Sequence, residues 1–183
     1  MNSISSKTMN GILFIIAGIA PLVIYIGLGP DGADIFDAKL TETLVFWIML
    51  SAPIALMMTA NTIKDGDGHG FVKAGLLILI IAYTGGSVGD ALSGSGMNEM
   101  GAAISEPFWA AMMLGFTVTA IGYYLQKKFP VWLSGLMAIA GIYGFIALGF
   151  IDLTANEVLE MPLWIGFTLV LVLLGIFTIK KAD

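Results

Sequence analysis

Six long apolar runs separated by short polar stretches set the pattern of this chain, at about 10–28, 43–63, 72–90, 105–125, 131–151 and 161–179. About 20 helical residues at 1.5 Å rise cross the hydrocarbon core of a bilayer, and each run comes close to that length. Inside lipid the backbone must satisfy its own hydrogen bonds, which leaves helices or the strands of a closed barrel. Barrel strands are shorter and alternate apolar with polar residues, whereas these runs are continuous. The pattern predicts an all-α integral membrane protein, a single bundle of six transmembrane helices over residues 1–183. The first run exceeds a secretory h-region and leads into a turn, Gly29-Pro30-Asp31-Gly32, so it reads as a retained span.

The linkers are Gly29–Glu42, Lys64–Phe71, Ala91–Ile104, Gln126–Pro130 and Asp152–Glu160. Within this frame a motif recurs. Odd-numbered spans open with Gly11-Ile12-Leu13, Gly75-Leu76-Leu77 and Gly135-Leu136-Met137. Even-numbered spans open with glutamate then tryptophan, at Glu42 and Trp47, Glu106 and Trp109, Glu160 and Trp164, and close on Lys64, Lys127 and Lys180. The expectation is three parallel helical hairpins, repeats 8–65, 71–129 and 130–183, related by a pseudo-threefold axis along the membrane normal.

Charge supplies the orientation. Lys7, Lys64, Lys73, Lys127, Lys128, Lys180 and Lys181 fall at the two termini and the second and fourth linkers, which an even number of spans places on one side. Only Lys39 lies opposite, among ten acids: Asp31, Asp34, Asp37, Glu42, Asp90, Glu99, Glu106, Asp152, Glu157 and Glu160. The positive-inside rule then predicts cytoplasmic termini and acidic outer loops, in the plasma membrane.

Composition removes whole classes of function. Of the 183 residues 58% are apolar and 11% charged, where a soluble domain carries about 25% charged residues; the mean hydropathy is +0.94. The chain has no arginine, a net charge of −5 and no basic stripe, so no nucleic-acid partner is expected. It has no cysteine and a single histidine, His69, which excludes thiolate sites and paired imidazole ligands within one chain. Asp65-Gly66-Asp67-Gly68-His69-Gly70 opens like a calcium loop, but its twelfth position is Leu76, so it reads as a glycine-rich turn. Between the interfaces the spans carry no Asp, Glu, Lys, Arg or His. Proton relays, ion-coupled carriers and intramembrane enzymes depend on such groups, so no enzyme activity, catalytic residue or metal site is expected.

The recurring acids and tryptophans have a physical reading as interface anchors. Glu42, Glu106 and Glu160 suit the positive ends of helix dipoles, with Thr41 and Ser105 as N-caps and Pro107 in a first turn. Trp47, Trp109 and Trp164, with Trp132 at the opposite face, suit the headgroup level. Paired small residues (Gly11 and Gly18, Gly115 and Gly122, Ala140 and Gly144) suit close helix packing, and Pro21 and Pro53 suit kinks. The dense glycines of 84–96 predict a weakened end of the third span, with Thr84, Ser87 and Asp90 as a candidate polar site or a mobile loop. The function expected is a non-catalytic structural or accessory subunit of a membrane complex. Its partners are the bilayer, other membrane subunits or copies of itself, and no cofactor is expected beyond a bound lipid or pigment. The alternative is a passive channel or facilitator for a small solute or cation.

Overall fold

The computed structural model describes residues 5–30, 32–153 and 155–180. Asp31 and Lys181 lie outside the described residues, as does the side chain of Glu157. Among the described residues every regular element is helical, and six helical stretches are long and apolar enough to cross a membrane.

The first span is α1 (Ser6–Leu22), continued by a π-helical turn over Val23–Leu28. Ser5 caps α1 by accepting from the Thr8 N–H at 3.1 Å. Pro21 sits inside α1 just before the change of winding; its ring removes one helix donor and crowds the preceding turn. The second span is α2 (Ala38–Met49) and α3 (Ser51–Ala60), broken at Leu50, where Pro53 deprives the Met49 carbonyl of its partner three residues into α3. The remaining spans are α4 (His69–Gly94), α5 (Asn98–Leu125), α6 (Val131–Phe150) and α7 (Glu160–Lys180).

Two expectations about helix ends are corrected. The cap of α2 is Asp37, whose Oδ1 accepts from the Leu40 N–H at 2.7 Å, so Thr41 and Glu42 stand within the helix and Thr41 is buried. Similarly, α5 begins at Asn98 with Glu99 in its first turn; Ser105, Glu106 and Pro107 are interior positions. The linker expected over 91–104 shrinks to a tight turn at Ser95–Met97, with Gly96 at φ +85°.

The glycine-rich end of α4 is therefore neither unwound nor a loop. Its glycines form a packing face. Gly68, Gly75, Ala82 and Gly89 recur every seven residues along α4 and its N-cap; Gly101, Gly115 and Gly122 keep the same register on α5, with Phe108 at the one position between them that is not small. That is the repeat of a supercoiled helix pair. A Cβ on Gly75 would lie 2.7 Å from the Gly115 carbonyl, one on Gly89 2.7 Å from that of Gly101, and one on Gly122 2.8 Å from that of Gly68. The two backbones touch at three levels, and only small residues allow that approach. Gly11 and Gly175 make the same kind of contact between α1 and α7: a Cβ on either would lie 2.6 Å from the other's carbonyl oxygen.

Consecutive spans are neighbours, and α1 packing on α7 closes the bundle. Successive pairs of spans do not pack alike. The α4–α5 interface is the most extensive, α6 lies mainly on α5, and α1 lies more against α7 than against its own hairpin partner. The centre is filled by Phe14, Leu56, Leu79, Met112, Phe116 and Leu171, all within 1% of full burial, with Phe116 and Phe167 in ring contact at 5.0 Å. Large apolar residues such as Ile16, Ile26, Leu77, Ile81, Ile139 and Ile165 face outward. A thin seam runs between α2–α3 and α4.

Candidate functional site

That seam holds a groove of about 680 Å³. Its deeper part is apolar, formed by Phe46, Leu50 and Pro53 from the second span and by Ile80 and Tyr83 from α4. Toward the acidic end it becomes polar, with Lys39, Glu42 and Thr43 on α2 facing Thr84, Ser87, Asp90 and Ser95 on or just beyond α4. The break at Leu50 lies on the groove wall.

Thr84, Ser87 and Asp90, expected together from the sequence, do share this groove. Their spacing of three residues keeps them on one side of α4, and Tyr83 joins them. Thr84 Oγ1 donates to the Ile80 carbonyl at 2.9 Å and Ser87 Oγ to that of Tyr83 at 2.5 Å. Each hydroxyl proton is thus committed to the helix, leaving an oxygen able to accept. Asp90 accepts from Trp109 Nε1 at 3.2 Å and hydrogen-bonds the Ser105 side chain. Glu42 accepts from the Tyr25 hydroxyl at 2.6 Å. The polar end therefore presents two carboxylates and the hydroxyl oxygens of Thr43, Thr84, Ser87 and Ser95 as acceptors, against the Lys39 ammonium; the Tyr83 hydroxyl is buried behind them without a hydrogen-bond partner.

The residues read as equivalent anchors stand in different surroundings. Trp47 is 61% exposed and Trp132 54%, as anchors at a bilayer surface would be. Trp109 instead packs between helices, edge-on to Tyr83 at 5.6 Å and bonded to Asp90. Trp164 donates to Glu160 at 3.0 Å, one turn earlier on its own helix. Glu42 is part of the groove and Glu106 is exposed on α5. So only the third glutamate–tryptophan pair is bonded within itself.

Sequence reasoning missed Lys39, Tyr83, Phe46 and Tyr25 at this place. The spacing of Tyr83, Ser87 and Asp90, at i, i+4 and i+7, was a visible sign of one helix face. The pairing of Tyr25 with Glu42 depends on the turn of chain between two spans and leaves no local pattern. Among the described residues no three His, Asp or Glu side chains gather where they could hold a metal ion; His69 lies 3.6 Å from Asp65, four residues earlier in the linker before α4. No family model, curated protein or solved structure matches this chain.

Proposed function

We propose that the chain is a non-catalytic subunit of a membrane assembly that seats an amphiphile, a lipid or a pigment, in the groove between α2–α3 and α4. In this reading it lies in the plasma membrane with both termini cytoplasmic and the acidic loops outside. One observation carries the proposal: the groove runs from an apolar floor at Phe46, Leu50 and Pro53 to a polar end at Glu42, Ser87 and Asp90. Ligand pockets pair an apolar lining with a few placed polar groups in this way. Because most of those polar atoms accept hydrogen bonds, the occupant's polar end carries hydroxyl or amine donors. The exposed apolar belt supports lateral contact with other subunits or further copies of the chain.

Purification in mild detergent followed by mass spectrometry of the extracted small molecules tests this. An amphiphile should co-purify, and Thr84→Phe, which fills the groove from an exposed rim position, should deplete it without unfolding the protein. A protein that retains nothing, or retains the same amphiphile in both forms, would contradict the reading.

The alternative, a passive channel or facilitator, draws on the carboxylates of Glu42 and Asp90 at the groove mouth. Against it, the groove reaches Pro53 on α3 and a second cavity is lined by Met58, while the intervening Ala55 and Leu56 are 0% and 1% exposed. Solute flux into liposomes that falls in Asp90→Asn would favour the channel instead.

A further inference from the structure

On the reading that the groove between α2–α3 and α4 seats an amphiphile, we infer that it takes its occupant by a primary ammonium group, and that the occupant is a phospholipid with an ethanolamine headgroup. Glu42 and Asp90 are the two carboxylates that line the groove, one from each wall. They stand close together. A Cβ on Gly94, one turn beyond Asp90, would lie 3.5 Å from Glu42 Cγ, and the charges of the two acids act on each other. Each is held in place by neutral donors, Glu42 by the Tyr25 hydroxyl and Asp90 by the Trp109 indole and the Ser105 side chain. Among the described residues neither has an ion-pair partner within 4.0 Å.

Two like charges, both half-buried, thus share one cavity without a counter-ion. Charge taken partly out of water is stabilised by an opposite charge brought to it. A primary ammonium supplies that charge with three N–H donors, enough for Glu42, Asp90 and the oxygen of Ser87, whose own proton goes to the Tyr83 carbonyl. A choline headgroup carries the same charge and no N–H; a glycerol headgroup carries hydroxyl donors and no positive charge. Lys39 is the one cation among the described lining residues, exposed at the rim and three residues before Glu42 on α2. The two-carbon link of ethanolamine keeps its phosphate and its ammonium within about one helical turn of each other, the spacing of Lys39 and Glu42, so the phosphate meets the lysine while the ammonium meets the acids. The acyl chain then lies on Phe46, Leu50 and Pro53, and can leave toward the bilayer past Leu50 and Ile54, which face outward.

The test is native mass spectrometry of the full-length protein titrated with phosphatidylethanolamine, phosphatidylcholine and phosphatidylglycerol of identical acyl chains. Phosphatidylethanolamine should bind about tenfold more tightly than either of the others. Asp90→Asn and Glu42→Gln keep an oxygen for Trp109 and Tyr25 but remove the charge. Each should weaken phosphatidylethanolamine about tenfold and erase most of its lead over phosphatidylglycerol. Glu106→Gln, which removes an equal charge outside the groove, should leave that lead intact. Should the carboxylate variants fail to fold, the ranking of the three lipids on the parent protein still decides. Equal affinity for phosphatidylethanolamine and either other lipid, with Thr84→Phe still displacing them, would overturn the ammonium inference and leave the amphiphile reading standing. Lipid binding that Thr84→Phe does not change would overturn both. A loss in Glu106→Gln as large as that in Asp90→Asn would reduce the preference to bulk charge and would also overturn the inference.

Discussion

At the residue scale, similar local sequences acquire different roles from what lies across the bundle. Glu42, Glu106 and Glu160 each precede a tryptophan, yet Glu42 meets Tyr25, Glu106 is exposed, and only Glu160 bonds its own tryptophan. The motif was legible; its partners were not, because they sit on other helices. Asp90 is the sharpest case. The sequence marked it as a candidate, but Trp109, nineteen residues on, is what holds its carboxylate. Trp109→Phe keeps a ring beside Tyr83 and removes the N–H. It should cost about 1–2 kcal/mol, measured as a lower Tm in detergent, and should loosen whatever the groove binds.

Helix interiors were readable at the scale of elements, and their ends were not. Apolar runs locate the part of a helix that lies in lipid, but α4 and α5 continue beyond that part through Asp90 and from Asn98, toward the acidic end. The caps lie out there, at Asp37 rather than Thr41. The glycines of 84–96 misled for a related reason. Density of glycine signals a weak helix when its neighbours are unknown, whereas here Gly89 presses on Ser105 and Gly101 of α5. The seven-residue register from Gly68 to Gly89, and from Gly101 to Gly122 with a break at Phe108, was present in the sequence and identifies the interface.

The glycines separate by position. Gly75→Leu drives a side chain into Thr119 and the Gly115 backbone and should destabilise by about 1–3 kcal/mol. Gly135→Ala, with nothing within 4 Å of its Cβ, should instead gain up to about 1 kcal/mol of helix propensity. Gly96→Ala meets no neighbour either, but its φ of +85° should cost about 1 kcal/mol. Thermal unfolding of the three variants beside the parent protein checks all three signs.

On the scale of the whole molecule, the ring of consecutive spans closed by α1 and α7 places one cavity at each end, with a packed apolar centre between them. The bundle was legible because lipid imposes a strict pattern on the backbone. The unequal packing of successive spans was not, since it follows from which small residues allow two helices to touch. Orientation is open to a direct check, because the chain contains no cysteine. With both termini in the cytoplasm, Ser95→Cys should react with a membrane-impermeant thiol reagent added outside intact cells. Gly70→Cys, exposed at the other end, should react only after permeabilisation.

The central claim is that this protein acts by holding and contacting other molecules in the bilayer. The most direct measurement is native mass spectrometry of the chain extracted, with its surrounding lipid, from the membrane that contains it. The chain should be bound to other subunits or copies of itself, with an amphiphile that persists when bulk lipid is stripped. A bare monomer holding nothing after the same extraction would contradict it.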